Sequence, residues 1–283
     1  MYKLIDHINK CKEIIELGNK NSITNLISDI IYYDLLYRSF NEGLRLDKQN
    51  DKKPSSIIGL IHETFFFSQV IKIRRLLDNS NDVYSLRKVF NEIIKHEYLY
   101  TREDYILLID PETKNKREYE LLVHDQHRKY DQISGKTPDN RAKEDRLNHS
   151  YLMEIKAYLD KPNIIVKYTN TFVAHSLNKE KQVTIEDELE KVSLRKLQEN
   201  YKLLSWLSFT LSYYCNDLIL FDPPSIPYEQ FENWVGTIFK KDIELRLYKY
   251  WENRVKMFSC WQDKYWMSND FYISPYQKVK RDI

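Results

Sequence analysis

Glycine takes only 5 of 283 positions and proline only 8. Chains built from many tight turns use more of both, so this scarcity argues against all-β folds and favours long helices. Cysteine is scarce too: Cys11, Cys215 and Cys260 are odd in number and far apart. That pattern argues against a disulfide framework and fits reduced thiols in a cytoplasm. Charge of one sign is lacking, since 44 Lys and Arg against 42 Asp and Glu leave +2. Any contact with nucleic acid must then come from a local patch rather than the whole surface. No long uncharged apolar run is present. The most apolar stretch, 203–221, is rich in Ser, Thr and Tyr and is interrupted by Asp217, whereas a bilayer span needs about 20 apolar residues. The first residues alternate charge with apolar side chains and lack a signal-peptide core. A cytoplasmic protein with no membrane partner is expected.

Familiar catalytic signatures are missing as well. The Gly135-Lys136-Thr137 triplet would need a glycine at position 130 to be a phosphate loop, and Tyr130 stands there. There is no GxGxxG, GxSxG or CxxC, and His62-Glu63 is not followed by a second histidine at metalloprotease spacing. His124 and His127 could share a helix face, but a zinc site needs a third ligand. No metal and no cofactor is expected.

What is present is a folded composition, 42% hydrophobic and 30% charged, arranged as helix after helix. Apolar residues at helical spacing predict helices over 2–17 and from an N-cap at Ser22 through Phe40. The polar run 47–53 follows, and Pro54 is suited to the first turn of the next helix. The segment 55–77 is expected to be central to the core. Further helices are predicted over 84–96, 116–127, 140–159 and 163–176, with Gly135 and Pro138 marking a break. Thr184 with Asp187 and Glu188 resembles a capping box and predicts a long helix to about 221, stopped by Pro223-Pro224. Four of the 5 tryptophans lie in the tail after 223, whose residues 240–283 carry ten Lys or Arg against six Asp or Glu. The expected class is all-α, an up-and-down helical bundle. Its segments are N-terminal helices 1–53, a central bundle 54–222 and an aromatic-rich helical extension 223–283. Packing among helices or a dimer surface suits those aromatics better than RNA stacking.

Two segments stand out together. One is GLIHETFFFSQVIKIRRLLD, 59–78, and the other is NIIVKYTNTFVAHS, 163–176. An apolar helix ending in Ile73-Arg74-Arg75-Leu76-Leu77-Asp78, followed much later by Asn170 and the pair Ala174-His175, resembles the HEPN superfamily. Within it the chain is similar to the abortive-infection (AbiU-type) branch. The stretch His127-Arg128-Lys129-Tyr130-Asp131 is similar to a His–Tyr/Phe-Asp segment of that branch. The resemblance spans about 55–221. It implies a HEPN-like helical bundle that dimerises, and a metal-independent ribonuclease or toxin of antiphage or stress defence. In that reading His175 moves the proton as an RNA 2′-hydroxyl attacks the adjacent phosphate, Asn170 holds the phosphate or the imidazole, and a cation steadies the developing charge. Implied partners are RNA, a second copy of the chain, and a nucleotidyltransferase antitoxin or other defence-system subunit. Where some HEPN toxins carry a nucleotide-accepting tyrosine two residues past the histidine, this chain has Leu177.

The chemistry stands on its own terms. An imidazole titrating near 6.5 can shuttle a proton at neutral pH, for a gain of about 10²–10⁴. A guanidinium matches the phosphate with two parallel hydrogen bonds. The chain departs from the motif at its arginine: Thr169 stands six residues before His175 and carries no charge. We expect Arg75 to substitute, since the two segments must pack together. Three blander readings remain beside this. His175 follows Ile164, Tyr168 and Phe172 on one apolar stripe, as a hydrogen-bonded core histidine would. Thr169 equally motivates a degenerate, non-catalytic HEPN binding or assembly subunit, and Arg75 with Asp78 could be a simple intrahelical pair.

Overall fold

The computed structural model describes residues 2–16, 22–47, 55–78, 80, 83–109, 116–160, 164–169, 193–216, 224–235, 237–239 and 243–266. The all-α expectation holds. The described residues form eleven α-helices and no strand, only isolated bridges at Thr101–Arg146 and Val235–Phe239. The helices are α1 (Tyr2–Glu16), α2 (Ile23–Leu46), α3 (Ser55–Leu76), α4 (Leu86–Lys95), α5 (Arg102–Ile106) and α6 (Lys116–Ser134). They continue as α7 (His149–Asp160), α8 (Ile164–Tyr168), α9 (Leu194–Tyr214), α10 (Tyr228–Trp234) and α11 (Glu244–Trp266).

Local chemistry sets the boundaries. The Ser22 hydroxyl accepts from the Asn25 N–H at 3.1 Å and opens α2 as expected. Ser85, Thr101 and Ser193 do the same for α4, α5 and α9. The helix from 116 runs on to Ser134 and ends where Gly135 takes φ 69°, the left-handed conformation that suits a helix terminus. The helix expected from 140 starts only at His149. The residues before it are held otherwise, by a 3-10 turn at Pro138–Asn140 and by Asp145, which accepts from the Ala142 N–H at 3.0 Å. The Thr184 cap lies outside the described residues.

The central element is α9, which buries residues on every side, among them Leu197, Tyr201, Leu204, Leu207 and Leu211. It packs against α2, α3, α4, α6 and α11. Its C-terminal carbonyls need partners, and buried tyrosines supply them: Tyr100 donates to Tyr214 O and Tyr105 to Tyr213 O. By contrast α3, expected to be central, contributes to the core on one face only, from Phe65 onward. Val70, Ile73 and Leu76 are buried, while Ile57, Leu60 and Ile71 are 55%, 63% and 44% exposed. Among the described residues, Ser56–Leu76 is one helix long and apolar enough to cross a membrane by length and composition.

Several aromatics of the tail are packed inward, although Tyr228 is exposed. Trp251 on α11 is buried and meets the Tyr32 and Phe231 rings edge-on. Trp234 and Phe239 both pack on Phe40 of α2. A single hydrophobic core therefore runs from Leu4 to Phe258.

Candidate functional site

The short helix α8 lies against α3, so the two segments that carry the resemblance are in contact. The contact centres on Thr169, which is 1% exposed. Its hydroxyl donates to Ile165 O at 2.7 Å and lies 3.3 Å from Val70 O of α3. The position of the missing arginine is thus a buried hydrogen-bonding position between helices. Arg75 is half-buried in the last turn of α3, five residues past Val70 and so roughly 140° round the helix from it. Arg74, one turn after Val70, is the residue that pairs with Asp78, at 3.9 Å. Asn170 and His175 lie outside the described residues.

Two polar clusters occur elsewhere. The first is centred on a buried carboxylate. Asp34 of α2, 0% exposed, accepts two bonds from Arg38 Nε at 2.9 and 2.7 Å, and Arg254 of α11 reaches the same carboxylate at 3.5 Å. Arg38 also donates to Leu194 O at the start of α9. With its carboxylate buried and both guanidiniums committed to it, this cluster ties three helices together.

The second lies where α5, α6 and residues 141–146 meet. Arg102 is buried and pairs with Asp131 at 2.9 Å and Asp145 at 2.8 Å. Its guanidinium sits 4.8 Å from the Tyr130 ring centre, and the Tyr130 hydroxyl bonds Tyr100 O and Asp145 O. Arg141 also binds Asp131, through Nε and Nη2. Lys136 approaches Asp145 at 3.9 Å. Burial pushes Asp145 up, but the Ala142 N–H and Arg102 outweigh it and hold the carboxyl below its ordinary range. Three cations face two carboxylates here, which leaves a positive surplus. Beside this cluster opens a cleft of about 290 Å³ lined by Arg102, Arg141, Lys143 and His127, among others. Burial, then the positive fields of Arg141 and Arg102, lower the His127 pKa and disfavour its charged form. Its Nδ1 is buried without a hydrogen-bond partner.

His127, Tyr130 and Asp131 fall in the stretch whose pattern the sequence had made conspicuous. Arg102 and Arg141 did not stand out, because an isolated arginine far from its carboxylates in sequence has no spacing to betray it. Among the described residues no group of three or more His, Cys, Asp or Glu could hold a metal. Comparison with protein-family models, with curated proteins and with solved structures finds no match.

Proposed function

We propose that the chain is a HEPN-type protein of antiphage or stress defence that cleaves RNA without a metal. His175 moves the proton, Asn170 positions the phosphate or the ring, and the end of α3 supplies the cation. The observation that carries this reading is the packing of α8 on α3, with the Thr169 hydroxyl 3.3 Å from Val70 O. Such packing is what a displaced cation requires: one helical turn after Val70, about 6 Å along the axis, come Arg74 and then Arg75. RNA is the substrate class, and the developing phosphorane charge is the reason a guanidinium is needed nearby.

The test is incubation of purified protein with RNA in EDTA. Products ending in cyclic phosphate, lost in His175→Ala and reduced roughly 10²-fold or more in the double variant Arg74→Ala/Arg75→Ala, are the expected result. Cleavage that survives His175→Ala would end the proposal.

A second reading is favoured by one specific observation. Because Thr169 is spent on helix packing, the chain could equally be a non-catalytic HEPN module that binds a partner in a defence or toxin–antitoxin system. Absence of cleavage, together with stable co-purification of a nucleotidyltransferase or other subunit, is the outcome that selects it.

A further inference from the structure

The cleft beside Arg102 has features that the fold does not need. Its ion cluster alone would hold α5, α6 and residues 141–146 together, yet the cleft wall itself brings Arg102, Arg141 and Lys143 against one lining carboxylate, Glu103. Arg141 spends Nε and Nη2 on Asp131 and, among the described residues, makes no hydrogen bond through Nη1. Half of its fork therefore remains for a second oxyanion. Lys143 is 76% exposed and only loosely paired, 3.9 Å from Glu103. His127 lines the same cleft and offers an imidazole as a further polar group. The remaining walls include the apolar side chains of Ile106 and Leu107.

We infer that this cleft binds a phosphomonoester. Arg141 Nη1 and Lys143 Nζ take the phosphate oxygens, Arg102 contributes its field from behind, His127 completes the polar contacts, and the apolar wall takes the carbon portion. A dianionic terminal phosphate fits better than an internal diester, because its second charge answers the three cations that line the cleft against one carboxylate. At about 290 Å³ the cleft is at the small end of ligand pockets, about 300–1,000 Å³. It has room for one phosphorylated nucleoside or sugar and none for a duplex. That chemistry has two sources, a free nucleotide or the 5′-phosphate end of an RNA strand. The inference stands apart from RNA cleavage at His175, so loss of one leaves the other intact.

Titration calorimetry on the full chain decides it, with adenosine 5′-monophosphate, adenosine, and one short RNA carrying either a 5′-phosphate or a 5′-hydroxyl. The expected result is saturable binding of the monophosphate, the phosphorylated RNA, or both. The unphosphorylated counterpart should bind at least tenfold more weakly. Binding of the nucleotide alone identifies a free-nucleotide site, and binding of the strand alone an RNA-end site. Lys143→Glu, at an exposed side chain, should weaken binding at least roughly fivefold with the helical signal unchanged, and Arg141→Gln should weaken it further. No saturable binding of either phosphorylated probe up to ~10 mM, equal binding of phosphorylated and unphosphorylated forms, or wild-type affinity in Lys143→Glu would each overturn it.

Discussion

At the scale of single residues, Thr169 shows how a motif position can be reassigned. Its hydroxyl is a linker between α8 and α3, and its burial leaves no path to water for a charge. Restoring the motif by Thr169→Arg should therefore not restore a catalytic cation. We expect it to cost about 2–4 kcal/mol of stability, as an unpaired buried charge does, read as a shift in the urea midpoint. Thr169→Val should cost only about 1 kcal/mol. His127 makes a second prediction. Burial and its cationic neighbours Arg141 and Arg102 depress its pKa in the folded state, against the opposing pull of Asp131. The unfolded chain then binds the proton more readily, so the stability from this group is present above about pH 6.5 and is lost as pH falls through the lowered folded value. The urea midpoint of the wild type should drop between pH 7.5 and 5.5 more than that of His127→Gln; equal slopes would contradict this assignment.

At the scale of elements, the caps explain what could be read from the chain and what could not. Ser22 was visible because its cap precedes a clear apolar period, and the structure shows that bond. α5 escaped notice because five residues give no period to detect. The late start of α7 was hidden for another reason: residues 141–147 have helical composition, but ion pairs to Arg102 and Asp131 hold them in another path. The exposure of the first half of α3 could not be anticipated either, since apolar residues all round a helix look the same whether they are covered by the chain itself or left open. Of the candidate site, the contact of 164–169 with α3 agrees with the expectation that the two conspicuous segments pack together, whereas the Arg102 cluster depends on contacts across more than 25 positions. Gly43 belongs to this scale too. A Cβ there would stand 2.6 Å from Cε2 of Phe239, a ring wedged against Phe40 and Trp234. Gly43→Ala should be destabilising by about 1–3 kcal/mol, although alanine is by about 1 kcal/mol the better helix former. A raised melting temperature would contradict this packing.

For the molecule as a whole, the exposed start of α3 is the most conspicuous surface. Ile57 and Leu60 stand open, and Gly59 has no atom within 4 Å of the place its Cβ would occupy. Apolar area of this kind on a folded chain marks a contact surface, and we propose that a second copy of the chain covers it. Light scattering should give twice the 34.4 kDa chain mass, and Ile57→Asp/Leu60→Asp should return it to one; a monomeric wild type would remove the proposal. The Asp34 cluster has a different consequence, one that concerns time rather than shape. The carboxylate belongs to the second helix and Arg254 to the last described one, 220 positions away. At bacterial or eukaryotic rates of about 5–20 residues per second, a ribosome takes on the order of 10–40 s to travel between them. Throughout that interval the early helices can gather, but Asp34 lacks one of its two guanidiniums and Phe40 lacks its covering rings. The interior is closed by the last of the described helices, so translation halted before α11 leaves the bundle without Trp251 and the Asp34 carboxylate with one guanidinium instead of two.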